Sequence, residues 1–207
     1  MNLKIVCPTR GLIHSRTLQS LKDNDIDLND LIIGSGDLPH IQNELTREAL
    51  KSAPSHVLFI EDDMTFPHKF LERMLKTMGA IVAIEYPLDN GYSTVFRHNE
   101  EIMWCGLGCT LVNAKVLREI GDPYFTSDHS YKLTEEPFTL EKIDTPNKYG
   151  GHDINFCMRA RELGYEIKML PGFEADHLRT DALNRVQTNK GAHNVWELEP
   201  IKIRKVF

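Results

Sequence analysis

The sequence lacks three features that would place it in a special class of protein. No apolar run approaches the roughly 20 residues of a membrane-spanning helix, and the first residues enter a strand-like run without the layout of a signal peptide. The four cysteines form no Cys-x-x-Cys pair and lie in apolar or helical stretches, which predicts buried free thiols. These absences disfavour an integral membrane enzyme and predict a soluble, cytoplasmic protein.

An excess of basic residues is also missing. The chain has 24 Lys and Arg against 30 Asp and Glu, a formal net charge of −6. This balance disfavours a broad nucleic-acid-binding face, because neutralising phosphates needs clustered Lys and Arg. A chain of 207 residues, 41% of them hydrophobic, is long enough for one α/β domain with a substantial core. With no internal repeat and no clear boundary, a single domain over 1–207 is predicted.

Apolar runs alternate with helical patterns in the first part of the chain. This alternation is typical of a parallel sheet with helices on both faces, and it predicts an α/β fold. The predicted strands of this part are 3–7, 31–33, 56–60 and 80–84, and the predicted helices are 14–22, 41–51 and 67–78.

The pattern changes after Tyr86. Short runs there predict two antiparallel strands, two helices and a last strand, whereas a Pro-rich, weakly periodic stretch predicts an irregular loop. The two antiparallel strands are 93–96 and 102–105, the two helices are 114–120 and 153–163, the last strand is 165–170, and the irregular loop is 121–149. The polar segment 180–194 is predicted to be mobile.

Three consecutive carboxylates, Glu61, Asp62 and Asp63, follow the apolar run 56–60. A strand that is apolar at every step is buried on both faces, and open α/β sheets bind ligands beyond the carboxyl ends of their strands. Adjacent carboxylates repel one another unless positive charge lies among them. A hard divalent cation that carries a substrate diphosphate satisfies both conditions. The alternative is a solvated acidic turn that caps the next helix, because Pro67 suits a first helical turn.

Two further motifs follow in order, a Gly-x-Gly segment at 106–108 and the run Gly151-His152-Asp153 at the start of a predicted helix. Together with the carboxylate triplet, they resemble the GT-A fold of nucleotide-sugar-dependent glycosyltransferases, and within it the family-2-like enzymes. The resemblance covers the chain from Cys7 to His177 and is strongest at 59–63 and 151–165. The short chain also resembles compact glycosyltransferases of phage genomes.

The resemblance implies a Rossmann-like, mostly parallel sheet flanked by helices, with a small antiparallel element in the C-terminal half. It divides the chain into a nucleotide-binding half (1–85), an acceptor and catalytic half (86–178) and a mobile tail (179–207). The implied substrates are a nucleotide-diphosphate sugar and a hydroxyl acceptor.

The resemblance also implies a metal site. Glu61 and Asp63 match the Asp-x-Asp motif of the family, although Glu replaces the commoner first Asp, and either Glu61 or Asp62 can instead reach a ribose hydroxyl. His177 matches a further metal ligand that follows the last core strand. The implied cofactor is Mn²⁺ or Mg²⁺, of which Mn²⁺ suits an imidazole better. The alternative for His177 is an ordinary histidine, one of nine in the chain.

Asp153 resembles the catalytic base of the inverting family members. Such a carboxylate takes the proton of the acceptor hydroxyl as its oxygen attacks the anomeric carbon. His152 stands where the family often has Glu, in a position that contacts the acceptor. The alternative for Asp153 is a helix N-cap, a position at which Asp is among the preferred residues.

The remaining predicted substrate contacts are also implied by the resemblance, and they lie at the strand ends and in the tail. For the two glycines of the Gly-x-Gly segment, the alternative to a substrate contact is a strand kink. For Asn43 and Arg47, which lie in the predicted helix 41–51, the alternative is a position on a solvated helix face. The donor contacts are Pro8, Thr9, Arg10, Asp37, Asn43 and Arg47; the acceptor side has Trp104, Gly106 and Gly108; and Arg179 lies on a lid that closes over the diphosphate.

Two other functions stay open. A metal-dependent nucleotidyltransferase usually carries a Gly-rich, basic first loop, whereas 8–11 here supplies one glycine and one arginine. A non-catalytic module that binds nucleotide sugars or glycans needs neither base nor metal ligands, and both are present. The acceptor also stays open between a lipid-linked or free saccharide, a protein side chain and a modified base in phage DNA.

Overall fold

The structure is a computed structural model that describes residues 2–9, 11–86, 93–135, 138–146, 151–180, 185–188, 191–196 and 201–202. Side chains are described in these ranges except at 133–139, 173–174 and beyond 178. The helices are α1 (Ser15–Lys22), α2 (His40–Lys51), α3 (Phe70–Lys76), α4 (Ala114–Ile120) and α5 (Gly151–Glu162). The strands are β1 (Leu3–Thr9), β2 (Leu12–Ile13), β3 (Leu31–Ser35), β4 (His56–Ile60), β5 (Met64–Thr65), β6 (Ile81–Glu85), β7 (Val95–His98), β8 (Glu101–Cys105), β9 (Cys109–Asn113), β10 (Ser130–Glu135), β11 (Phe138–Ile143), β12 (Ile167–Glu174), β13 (Asp176–Thr180), β14 (Arg185–Thr188), β15 (Gly191–Trp196) and β16 (Ile201–Lys202).

Among the described residues, the largest sheet has six strands in the order β12-β6-β9-β4-β1-β3. β1 is parallel to β3 and β4, and β12 is parallel to β6, whereas β9 runs antiparallel to both β4 and β6. The five strands other than β9 therefore share one direction, and their carboxyl ends meet at one edge, where β9 begins. The α/β prediction of a mostly parallel sheet flanked by helices is confirmed.

Hydrophobic side chains pack on both faces of this sheet. Along β4, Val57 and Phe59 belong to one buried cluster, and Leu58 and Ile60 belong to the other. This alternation is what a strand between two layers requires, and it confirms the interpretation of the apolar run. All four cysteines are free and buried, as predicted.

Helix α3 begins at Phe70, three residues later than the predicted start at Pro67. Lys69 has a φ of 60°, a left-handed conformation that interrupts a right-handed helix, so the chain turns once before the helix starts. Pro67 consequently does not lie in the first turn. None of the helices in the described part of the chain is long and apolar enough to cross a lipid bilayer.

The second half contains small antiparallel sheets, as predicted. The prediction of an irregular loop over 121–149 is wrong at 130–135 and 138–143, which are strands. There β10 and β11 form a hairpin in which Lys132 lies opposite Glu141. Opposite charges on paired strands stabilise such a ribbon without the apolar alternation that a sequence pattern detects. Parts of the segment predicted to be mobile form β14 and β15, which continue from β13; the mobility and the division into halves stay predictions.

Candidate active site

The carboxylate triplet lies at the carboxyl end of β4, on the edge where the parallel strands end. The backbone N–H of Glu61 donates to the carbonyl oxygen of Gly108 at 3.3 Å, which ties the triplet to the start of β9. Tyr86 follows β6 at the same edge. Residues from three adjacent strands therefore converge here, at the place where open α/β sheets bind ligands.

Glu61, Asp63 and His177 form a compact cluster at this edge. The His177 Nε2 atom is 3.2 Å from Asp63 Oδ1 and 3.6 Å from Glu61 Oε2. One ligand atom from each residue lies within 4.8 Å of the others. Two carboxylates and one imidazole are a donor set that suits a divalent metal such as Mn²⁺, so the residues fit the implied cofactor.

Strand pairing explains how His177 reaches residues more than 100 positions earlier in the chain. β13 pairs antiparallel with the short β5, which places His177 opposite Met64. The N–H of Leu178 donates to the carbonyl oxygen of Asp63 at 2.6 Å. The backbone thus holds the histidine beside the end of the triplet.

The pKa of Glu61 reflects both its burial and the charges around it. Burial raises the pKa of its carboxyl to about 7, and the negative charges of Asp63 and Asp153 add to the rise. The imidazole of His177 and a hydrogen bond from Tyr86 act in the opposite direction. The raised pKa indicates that burial and the neighbouring carboxylates together disfavour the charged form of Glu61.

Asp62 differs from its two neighbours because it is buried, with 8% exposure, and serves the fold. Its Oδ2 atom accepts a hydrogen bond from Thr9 Oγ1 at 2.7 Å. Its carbonyl oxygen accepts from the N–H of His14 at 2.8 Å and from Thr17 Oγ1 at 3.1 Å. These contacts join β4 to the end of β1 and to the start of α1.

Asp153 lies in the first turn of α5, which begins at Gly151, so it is a helical residue and not the N-cap. Its Oδ1 atom is 2.8 Å from His152 Nε2. Burial lowers the pKa of His152, but the charge of Asp153 and its hydrogen bond, together with the charge of Glu61, outweigh burial and raise the pKa overall. The His152–Asp153 pair and the cluster therefore share one electrostatic environment.

Tyr86 is a residue of this site that the sequence analysis missed. Its ring is buried, its hydroxyl donates to Glu61 Oε1 at 3.0 Å, and the N–H of Gly108 donates to its oxygen at 2.9 Å. Burial, followed by the charges of Glu61 and Asp153, raises its pKa well above the ordinary value, so the phenol keeps its proton. Its position just after the predicted strand 80–84 was the signal that could have identified it.

Several predicted donor contacts lie at the ends of β1 and β3. Pro8 and Thr9 end β1, where Thr9 pairs with Ser35 of β3. Asp37 is exposed two residues after that strand. Arg10 lies outside the described residues. For Arg179 the structure describes the backbone, which pairs with Gln187 in β13 and β14.

Asn43 and Arg47 have structural contacts within the protein that the sequence did not predict. The Asn43 amide is buried, donates to the carbonyl oxygen of Phe125 at 2.8 Å and accepts from its N–H at 2.9 Å. Arg47 is exposed and pairs with Asp122 at 2.9 Å. Both side chains hold the segment 122–125 against α2, and their contact with the donor stays a prediction.

The predicted acceptor side is built by the β7–β8 hairpin. Trp104 is half-buried and stacks on Phe96 of the facing strand, with ring centroids 4.3 Å apart and an interplanar angle of 20°. Gly106 and Gly108 follow β8, and both approach the Tyr86 ring. In the structure, protein side chains approach Gly106 and Gly108. A contact between these glycines and a substrate stays a prediction.

Comparison with known proteins finds similar structures but no match by sequence. No protein-family model matches the chain, and no curated protein matches it. The crystal structure of A197 from STIV is similar with a TM-score of 0.64 and 16% identity, over 96% of this chain and 99% of that one. A putative glucose-1-phosphate thymidylyltransferase from Bacillus anthracis, in complex with a sucrose, has a TM-score of 0.50 and 10% identity, over 84% and 89%. S. aureus TarS 1-349 in complex with UDP has a TM-score of 0.48 and 16% identity, over 84% and 59%.

The structural similarity to A197 and to the thymidylyltransferase, with TM-scores of 0.64 and 0.50, indicates a shared fold, while identities of 16% and 10% leave function open. The strand order, the antiparallel β9 within a parallel sheet and the small antiparallel sheets of the second half agree with the resemblance noted in the sequence. The chain therefore has a GT-A-like fold.

Proposed function

We propose that this protein is a metal-dependent glycosyltransferase that transfers a sugar from a nucleoside-diphosphate sugar to a hydroxyl acceptor with inversion. The observation that carries the proposal is the cluster of Glu61, Asp63 and His177 at the carboxyl edge of the sheet. Asp153 lies close enough to raise the pKa of Glu61, so a candidate base stands beside the candidate metal ligands.

In this proposal Glu61, Asp63 and His177 hold the divalent cation. When bound, it supplies positive charge opposite the diphosphate leaving group. The imidazole favours Mn²⁺ over Mg²⁺, which prefers oxygen ligands. The ends of β1 and β3, with Pro8 and Asp37, take the nucleoside.

Asp153 takes the role of the base. Its carboxylate accepts the proton of the acceptor hydroxyl while that oxygen bonds to the anomeric carbon. The bond from the anomeric carbon to the phosphate oxygen breaks, and the nucleoside diphosphate leaves with the bonding electrons. Because His152 engages Oδ1, we assign the incoming proton to Oδ2. The raised pKa of His152 favours its charged form, which places a positive charge beside the Asp153 carboxylate.

The test is a thermal-shift screen against UDP-, GDP-, CMP- and dTDP-sugars, with and without Mn²⁺, on the wild type and on Asp63→Asn. A bound ligand raises the unfolding midpoint according to its concentration relative to its dissociation constant. We expect one donor to give a shift that requires Mn²⁺ and is lost in the variant. A shift with nucleoside triphosphates alone would instead indicate a nucleotidyltransferase, and a metal-independent shift would indicate a binding module.

Asp153→Asn tests the base separately from the metal site. The amide cannot accept the proton, so we expect transfer to fall by about 100-fold or more, with Mn²⁺ and donor affinity unchanged. Single-turnover transfer and a donor titration measure the two effects. Loss of donor binding in this variant would point to a structural role for Asp153.

A further inference from the structure

We propose that Tyr86 is a positioning residue that fixes the carboxylate of Glu61 for cation binding, and that Gly106 and Gly108 are small because they form the slot for its ring. The inference rests on the proposed function, since it assigns Tyr86 a role in the same site. It concerns residues behind the metal ligands: Tyr86, which no sequence motif marked, and the two glycines of the Gly-x-Gly segment.

The hydrogen bonds around the phenol give it a fixed direction. The Gly108 N–H donates to the Tyr86 oxygen at 2.9 Å, so the tyrosine's own proton is directed to Glu61 Oε1, 3.0 Å away. The other carboxylate oxygen, Oε2, is the one that lies 3.6 Å from His177 Nε2. One oxygen of Glu61 is thus anchored to the protein, and the other is turned toward the cluster.

The two glycines make this arrangement sterically possible. A Cβ atom on Gly106 would lie 2.5 Å from the Tyr86 hydroxyl oxygen, and one on Gly108 would lie 2.6 Å from that oxygen and 3.0 Å from Glu61 Oε1. Side chains do not tolerate contacts of 2.5 or 2.6 Å, so any larger residue would displace the phenol. The absence of a side chain at Gly106 and Gly108 therefore leaves room for the Tyr86 phenol.

Glu61 needs such an anchor more than its partners do. Its side chain is 39% exposed, whereas those of Asp63 and His177 are each 17% exposed. A long, partly exposed glutamate samples several rotamers, and this freedom is lost when it binds a cation. Tyr86 is 2% exposed and its ring centroid lies 6.0 Å from that of His177, so it provides a rigid support beside the ligands.

The test uses Mn²⁺ alone, without nucleotide, and measures the free ion by its electron paramagnetic resonance signal. Tyr86→Phe removes the hydroxyl and keeps the ring, so we expect Mn²⁺ to bind about 10-fold more weakly, the lower end of the effect of outer partners on metal affinity. Tyr165→Phe is the matched control, because it removes a Tyr–Glu hydrogen bond of 2.6 Å to Glu119 on the exposed surface. The control should bind Mn²⁺ as the wild type does.

A double-mutant cycle with Glu61→Gln separates positioning from general stability. If Tyr86 acts through Glu61, Tyr86→Phe has little further effect on Mn²⁺ affinity once Glu61 is replaced. Equal losses in both backgrounds would overturn the inference. Gly108→Ala should weaken Mn²⁺ binding at least as much as Tyr86→Phe, because it displaces both the phenol and the carboxylate.

The possible failures are distinguishable. A wild type that binds no Mn²⁺ overturns the proposed function and the inference with it. Mn²⁺ binding that is lost in Asp63→Asn but unchanged in Tyr86→Phe overturns only the role of Tyr86. The metal-free unfolding midpoint of each variant is recorded first, and the Mn²⁺ titrations are done well below that temperature. An unfolded variant is then not mistaken for a folded variant with weak affinity.

Discussion

Asp62 and Asp63 are neighbours in the chain, but they lie in two different environments. Asp62 faces the junction of β1 and α1, where its carboxylate and carbonyl oxygens accept hydrogen bonds from Thr9, His14 and Thr17. Asp63 faces Glu61 and His177, with the histidine nitrogen 3.2 Å from its Oδ1. One carboxylate is buried as part of the framework, and the other belongs to a group of like charges.

The difference shows which carboxylates are available to a ligand. A buried carboxylate with internal donors is already solvated by the protein, and its removal takes a charged acceptor away from those donors. Burial and then the charge of Asp63 raise the pKa of Glu61, and a bound cation would offset both effects. Variants of the triplet should therefore separate into those that change metal affinity and those that change stability.

The largest effect is expected for Asp63→Ala. Losing a direct ligand should weaken Mn²⁺ binding by about 100-fold or more, beyond the loss expected for an outer partner. The metal-free midpoint should stay the same or rise, because one of the repelling charges is gone. Isothermal titration with Mn²⁺ and thermal unfolding in EDTA measure the two; retained affinity would remove Asp63 from the cluster.

Asp62→Ala should show the opposite behaviour. It removes the carboxylate that accepts from the buried Thr9 hydroxyl at 2.7 Å, while the Leu12 carbonyl oxygen remains as an acceptor, so the free energy of unfolding should fall by about 0.5–1.5 kcal/mol. Mn²⁺ affinity should stay close to that of the wild type. Denaturant unfolding measures the loss; unchanged stability combined with lost donor binding would return Asp62 to the ribose contact that the sequence implied.

Glu61→Gln should reveal the repulsion through pH. The folded-state pKa of about 7 exceeds the ordinary value of 4.5, so the folded protein binds this proton more tightly and loses stability as pH rises between the two values. The glutamine variant lacks this loss. Because the Glu61 side chain as a whole is 39% exposed, its burial is partial, and solvent screening limits the effect to about 1 kcal/mol, or about 2–4 °C.

The midpoint of Glu61→Gln relative to the wild type, measured in EDTA, should therefore be higher at pH 8 than at pH 5. Adding Mn²⁺ at pH 8 should stabilise the wild type more than the variant. An equal difference at both pH values would mean that Glu61 is not under electrostatic strain.

The smallest effect is expected for Arg47→Ala, which lies away from both environments. Its ion pair with Asp122 is exposed, and pairs of this kind contribute about 0–1 kcal/mol. Donor affinity and Mn²⁺ affinity should not change. A clear loss of donor binding would place Arg47 in the donor site.

The sequence predicted the frame of this protein well, because its signals are local. Four strands of the main sheet and the helices between them follow from apolar runs and helical periodicity, as the buried run 56–60 illustrates. The Pro-rich stretch 121–149 gave no such signal. Its hairpin depends on backbone pairing and on charges such as Lys132 and Glu141 facing each other across two strands.

The site, like the fold, combines features that local sequence signals predicted with others that depend on long-range contacts. Glu61, Asp63, Asp153 and His177 were identified from motifs, and the structure brings the metal candidates together. The distances among them depend on β13 pairing with β5, a contact between segments more than 100 residues apart. The structural role of Asn43 was missed because helical spacing does not reveal that its amide bonds to the backbone of Phe125.

By itself, then, the sequence determined the alternation of strands and helices, the end of the buried strand and the residue types that gather there, since these depend on local patterns of hydrophobicity and charge. The tertiary structure decided which neighbouring carboxylate serves the fold and which faces the histidine. It also decided that Tyr86 stands behind Glu61 in a slot between two glycines. These outcomes depend on which strands lie side by side, and that is set by long-range packing and backbone pairing.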